Sequence, residues 1–200
     1  AVKFICGPNS KITSKSSVLD DTDFINDGNI TKKEVRAITI SKLMPMRRAL
    51  LWDIGLGCGS VSIEWIRSGY DCKAIGIEPK KERLEMALKN ANTLGAPRLE
   101  IVNGSAPEAL ENLSRPDAIF IGGGFSLQTF DICWQKLKPF GRIVINAVTL
   151  ETEGELLKLK ELYGGELSRI SIQKTESIGT RKGWRPYMPV TQWSIIKNDG

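Results

Sequence analysis

The stretch Leu51-Trp52-Asp53-Ile54-Gly55-Leu56-Gly57-Cys58-Gly59 constrains the fold of this chain more than any other segment. An apolar run rich in β-formers ends in three glycines at alternate positions, and an amphipathic segment follows. That order reads as a strand, a tight turn and a helix start. Glycine permits positive φ and lets a ligand approach the backbone, and the first amides of the next helix are available to a polar group. The spacing is Gly-x-Gly-x-Gly, shorter than the dinucleotide fingerprint Gly-x-Gly-x-x-Gly. A nucleotide site or a purely structural turn are the alternatives for the loop taken alone. A second marker is Glu78, which ends the apolar segment Lys73-Ala74-Ile75-Gly76-Ile77-Glu78. It falls roughly twenty residues after the loop, where nucleoside-binding α/β folds place an acid that accepts hydrogen bonds from ribose hydroxyls. The bland alternative is an acid at a helix start before Pro79.

From Ala49 the pattern alternates. Strands are expected near 49–54, 73–78, 98–103, 117–121 and 141–146, and helices near 60–68, 80–94, 106–112, 126–137 and 151–163. Such alternation implies a parallel sheet with helices on both faces. Glu166–Lys174 and Val190–Lys197 then read as two strands joined by a long loop, a terminal antiparallel hairpin. Upstream, Thr31-Lys32-Lys33-Glu34 has the spacing of a capping box, and Val35, Ile38 and Leu43 follow at helical intervals, predicting a cap helix near 31–43 that stops before Pro45. Residues 1–19 hold Lys3, Lys11 and Lys15, several serines and no acid, and most of them read as a flexible lead or linker before a domain over 20–200. The chain starts at Ala1 without Met, as a processed or excised chain would.

Composition narrows the chemistry. The chain has no His, so a His general base, a His metal ligand and Ser-His or Cys-His nucleophile pairs are excluded. Cys6, Cys58, Cys72 and Cys133 form no CxxC or zinc spacing, which points to reduced thiols, a cytoplasmic setting and no metal site. No apolar run reaches the ~20 residues of a membrane helix. The net charge of +5 favours an anionic partner, either nucleic acid or a small polycarboxylate.

Further motifs line up with the loop and Glu78. They are Ile30-Thr31-Lys32-Lys33-Glu34-Val35-Arg36-Ala37, Val102-Asn103-Gly104-Ser105-Ala106-Pro107-Glu108-Ala109-Leu110, Asp117-Ala118-Ile119-Phe120-Ile121-Gly122-Gly123-Gly124, Gly141-Arg142-Ile143-Val144-Ile145-Asn146-Ala147-Val148-Thr149-Leu150-Glu151 and Gly183-Trp184-Arg185-Pro186-Tyr187-Met188-Pro189-Val190-Thr191-Gln192-Trp193. The loop with its preceding Asp53 resembles the S-adenosylmethionine loop of Rossmann-like methyltransferases. The whole set, over about 20–197, closely resembles the decarboxylating precorrin C15-methyltransferase domain of cobalamin synthesis, the C-terminal part of the bifunctional precorrin-6Y enzymes.

The resemblance implies a class I S-adenosylmethionine-dependent methyltransferase fold with a seven-stranded, mostly parallel sheet. It implies methylation at C15 of a precorrin-6 type substrate with loss of the ring C acetate carboxyl. It also implies either a fused N-terminal tetrapyrrole methylase domain or a stand-alone homologue, and a homotetramer. Carried over by position, Gly55, Leu56, Gly57, Cys58 and Gly59 would line the methionine and ribose of the cofactor, Glu78 would hold the ribose hydroxyls, Ser105 and Ala106 would sit at adenine, and Thr31 would reach the cofactor from the cap. Two residues depart from the family: Ser105 stands where an acid is usual, and Cys58 where a small, often hydroxylic residue is usual.

For the acceptor, Gly122, Gly123 and Gly124 would admit a bulky ring, Asn146 could hydrogen-bond it, and Arg181, Lys182 and Arg185, interleaved with Trp184 and Tyr187, would clamp its carboxylates. Lys32 and Arg36 lie one helical turn apart and could also meet those carboxylates, although each alone reads as an exposed face. Glu64 faces either the cofactor end of the site or solvent. No catalytic acid or base is assigned. An RNA methyltransferase and a non-catalytic S-adenosylmethionine- or RNA-binding module are the rival readings. The first would need an Asn/Asp-Pro-Pro-aromatic turn for a flipped base where this chain has Ile121-Gly122-Gly123-Gly124. The second would be expected to break the loop or lose the ribose acid.

Overall fold

The computed structural model describes residues 18–198. The expected lead therefore lies almost wholly outside the described residues. Its last member, Leu19, is buried in the core and donates its amide to Glu64 at 2.7 Å. From Lys33 the order is α1 (Lys33–Leu43), β1 (Leu50–Ile54), α2 (Ser60–Ser68), β2 (Lys73–Glu78), α3 (Lys81–Thr93), β3 (Leu99–Asn103), β4 (Ala118–Ile121), α4 (Leu127–Lys136), β5 (Arg142–Ala147), α5 (Leu150–Tyr163), β6 (Glu166–Ile170), β7 (Gln173–Ile178), β8 (Arg181–Pro186) and β9 (Val190–Ile196).

The main sheet has seven strands in the order β3-β2-β1-β4-β5-β9-β6. The first five are parallel to one another, and β9 runs antiparallel to both β5 and β6. This is the expected Rossmann-like, mostly parallel sheet with an antiparallel end. Side-chain alternation along the strands divides the core. In β1, Leu51 joins a cluster with Ile63, Trp65 and Phe120, whereas Trp52 and Ile54 join one with Phe130, Leu156 and Trp193. Asp53 shares the first face and meets α2 there, through Ser62. Strand order reverses beside β1, where Ile54 pairs with Ile77 on one side and Ile121 on the other. A crevice outside the carboxyl ends of β1 and β4 follows from that switch point.

Four expectations change. The helix expected near 106–112 is a single 3-10 turn, Glu108–Leu110, because Pro107 removes an amide and few residues remain before β4. The capping box does not form: Lys32 is the N-cap of α1 and makes no side-chain cap bond, while Glu34 pairs with Lys174. The long loop between the last strands is itself a two-stranded hairpin, β7–β8, turning at Gly179 with φ 59°. Positive φ at the first of two loop residues suits a tight hairpin turn.

The fourth change concerns charge. Arg36, read as an exposed face, and Glu64, read as facing either the cofactor end of the site or solvent, are both buried in the protein. The Arg36 guanidinium donates to the carbonyls of Leu19 and Thr31 at 2.6 Å and to Asp21 at 3.0 Å, and it lies 3.6 Å from Glu64. One cation thus bolts the segment 19–31 onto the domain. Asn90 adds a second anchor. Its side chain exchanges two 2.8 Å bonds with the backbone of Ile25 and donates to the Cys58 carbonyl at 2.9 Å. The N-terminal segment is therefore tied to the glycine loop itself.

Candidate active site

The glycine turn after β1 is shaped by close approach. Gly55 has φ 75°, and a Cβ there would stand 2.8 Å from the Gly123 backbone, so the turns after β1 and β4 touch. Gly57 and Gly59 have φ of 58° and 82°. Two buried acids hold the turn. Glu78 accepts from the amides of Gly57 at 3.0 Å and Lys80 at 3.1 Å. Asp53 Oδ2 accepts from the Ser62 amide at 3.1 Å and hydroxyl at 2.7 Å, capping α2 from the strand behind it. The Ser62 amide is thus spent within the protein rather than offered to a ligand.

These groups border a cavity of about 320 Å3 that Gly55, Leu56, Gly57, Cys58, Glu78, Ser105, Ala106 and Thr31 all line. Gly59 lies outside that lining and packs toward Ala87. Asp53 lines the cavity as well, and its Oδ1 has no hydrogen-bond partner. Burial pushes its carboxyl up to about 7; the two Ser62 bonds oppose this and the Glu78 charge adds to it. A partnerless carboxylate oxygen in a low-dielectric wall is suited to a cation. Burial also raises the Cys58 thiol, which stays protonated and unreactive.

A second cavity of about 410 Å3 adjoins the first, sharing Asn29, Thr31 and Gly122. Val148, Ile170, Ile172 and Val190 supply apolar walls, and Lys32, Asn146 and Tyr187 supply polar groups.

The model of the precorrin methyltransferase domain family matches residues 22–197. The chain belongs to that family. It is 45% identical over 198 residues to the "Precorrin-6Y C(5,15)-methyltransferase (decarboxylating)" of a Sinorhizobium species, covering 98% of this chain and 48% of that protein. It is 36% identical over 171 residues to the "Probable cobalt-precorrin-6B C(15)-methyltransferase (decarboxylating)" of Sulfurisphaera tokodaii, covering 83% of this chain and 89% of that one. The crystal structure of the C-terminal domain of precorrin-6Y C5,15-methyltransferase from Rhodobacter capsulatus superposes with a TM-score of 0.87 at 46% identity, over 92% of this chain and all of that domain. This precorrin methyltransferase domain thus spans about half the length of the precorrin-6Y relative.

The two cavities sort the expected site residues of the precorrin methyltransferase domain. Gly122, Gly123 and Gly124 line the first, Gly122 also the second, and Asn146 only the second. Arg181, Lys182 and Arg185 lie on β8 and line neither of them; Arg185 reaches across the hairpin to Glu176 at 3.1 Å. Sequence reasoning passed over Asp53 as a lining group, although it named the position, and it missed Asn29 and Asn90. An Asn flanked by Ala87 and Ala91 on the buried stripe of α3 was the available signal for Asn90. Among the described residues no group of His, Cys, Asp and Glu could hold a metal ion, and no helix is long and apolar enough to cross a membrane.

Proposed function

We propose that this precorrin methyltransferase domain methylates C15 of a precorrin-6 type corrin precursor with S-adenosylmethionine and removes carbon dioxide from its ring C acetate. The observation that carries the reading is the family match over residues 22–197 on a chain whose acid-lined cavity opens beside an apolar one.

The first cavity fits the donor. Asp53 Oδ1 is a buried acceptor without a partner, suited to a ligand that carries an ammonium and a sulfonium. Glu78 has lone pairs beyond its two backbone bonds for a ribose diol. Gly57 and Gly124 have no atom within 3.8 Å of a built Cβ, so backbone and ligand can meet there. Ser105 and Ala106 line the same cavity and suit the adenine end. When bound, the sulfonium supplies an already activated methyl group, so the protein's main task is alignment at near-contact distance.

The chain's own residues do the rest. Thr31, Asn29 and Gly122 border both cavities and would frame the passage between donor and acceptor carbon. The walls of Val148, Ile170, Ile172 and Val190 suit the face of a conjugated ring. In the decarboxylation the bond between the acetate methylene and its carboxyl carbon breaks. Its electron pair enters the conjugated ring, and a proton takes the place of the departing carbon dioxide. A fused tetrapyrrole methylase, a homotetramer and a cytoplasmic location belong to the same reading.

Methyl transfer from labelled donor to a precorrin-6 type acceptor and to bulk RNA, run in parallel, tests it. Label should enter the tetrapyrrole only. Label in RNA, or in neither, would reject the assignment.

A further inference from the structure

We infer that Lys32 is the cation that captures a carboxylate of the acceptor in the second cavity, with Asn146 as a neutral donor in the same wall. This rests on the acceptor being an anionic tetrapyrrole.

Lys32 is the one charged residue lining that cavity among the described residues. Its neighbours have spent their charge. Lys33 binds Asp20 at 2.6 Å, and Lys174 binds Glu34 at 2.9 Å. No carboxylate is paired with Lys32 among the described residues; its Nζ lies 5.6 Å from the Tyr187 ring centroid. The Lys174 Nζ stands at the same distance from that ring. Glu34 pairs with Lys174, and Asp21, which also acts on Lys174, is held by Arg36, so neither carboxylate is paired with Lys32. The ring supports a cation through its π face without neutralising it.

Asn146 is oriented by a chain of bonds that begins in α1. The Thr39 hydroxyl donates to the Val35 carbonyl at 2.9 Å, so it can only accept from other groups. It accepts from Gln192 Nε2 at 3.0 Å and Asn146 Nδ2 at 3.3 Å, and Gln192 Nε2 also donates to Asn146 Oδ1 at 2.8 Å. Turning the Asn146 amide over would set its oxygen against a hydroxyl with no proton to give, and its nitrogen against a donor. With Gln192 Nε2 as that donor, the Asn146 oxygen is an acceptor in use and Nδ2 keeps one proton beyond its Thr39 bond. Lys32 and Asn146 both line the cavity and both carry donor groups, which matches an acceptor bearing acetates and propionates. The three cations of β8 do not line this cavity, and Arg185 faces Glu176.

Binding of uroporphyrin, a stable tetrapyrrole with acetate and propionate side chains, and of its methyl ester, followed by absorbance with S-adenosylhomocysteine present, tests the assignment. Lys32→Met should weaken uroporphyrin binding about ten- to a hundredfold at low salt and leave ester binding and S-adenosylhomocysteine affinity unchanged. Lys32→Arg should retain most of the affinity. Lys33→Met removes the same charge one residue away, outside the cavity lining, and should bind as the parent does. Uroporphyrin affinity equal in Lys32→Met and the parent would overturn the assignment of Lys32 alone, as would an equal loss in Lys33→Met. A parent chain that binds no carboxylated tetrapyrrole would overturn the acceptor reading and Lys32 with it.

Discussion

Asp53→Asn should abolish a pH dependence of donor-site affinity that the parent chain possesses. The Asp53 carboxyl is pushed up to about 7 from 3.8, first by burial and then by the Glu78 charge, against the two Ser62 bonds. At pH 6 only about a tenth of the chains carry the carboxylate, and at pH 8 about nine-tenths do. A cationic ligand beside Oδ1 binds the ionised form, so affinity should rise about tenfold between those pH values. The sign for stability is opposite. A raised acid contributes stability below its unfolded value of 3.8, and that contribution is lost as pH rises through 7. The full swing is on the order of 4 kcal/mol. Asparagine keeps an oxygen for both Ser62 bonds and cannot titrate, so position 53 should add no slope to either profile in the variant. Calorimetric titration with S-adenosylhomocysteine in parent and variant is the assay. The ligand's own amine titrates equally in both experiments and cancels from their ratio. Equal affinity at pH 6 and pH 8 in the parent, or the same slope in both proteins, would refute the reasoning.

Glu78→Ala should weaken S-adenosylhomocysteine binding by roughly 1–3 kcal/mol, because the ribose acceptor and the partner of the Gly57 amide are lost together. Gly55→Ala should destabilise the fold by about 1–3 kcal/mol in urea titration, since its Cβ would stand 2.8 Å from the Gly123 backbone at positive φ. Gly154→Ala, in α5 with nothing within 4 Å of the added Cβ, should stabilise by about 0.5–1 kcal/mol in the same assay. Arg36→Leu should cost about 3–5 kcal/mol by leaving Glu64 buried without its cation; a double Arg36→Leu, Glu64→Leu chain that is no more stable than the single variant would contradict that cause.

The glycine turn, Glu78 and the strand-helix alternation were legible because each is written in neighbouring residues. β1, β2, β4 and β5 are buried almost throughout, and buried parallel strands read as continuous apolar runs. The β7–β8 hairpin was illegible because it is mostly exposed and polar on both faces, so no alternation marks it. Arg36 and Glu64 misled for another reason. Their burial depends on the segment around Leu19 to Asp21, which lies 15 to 17 residues before Arg36 and 45 before Glu64, folding back over α1 and α2, and no local pattern encodes such a return. The same return brings Asn29 and Thr31 to the cavities. The clamp expected from Arg181, Lys182 and Arg185 rested on composition, and composition does not say that Glu176 faces Arg185 across a turn at Gly179.

Mass analysis of the product formed from a precorrin-6 type acceptor and methyl-labelled S-adenosylmethionine tests the central claim most directly. The tetrapyrrole should gain one labelled methyl group and lose one carbon dioxide, with the label absent when the donor-site variant Glu78→Ala is assayed below its weakened affinity. An acceptor recovered with neither change, under conditions where the chain binds S-adenosylhomocysteine, would contradict the account.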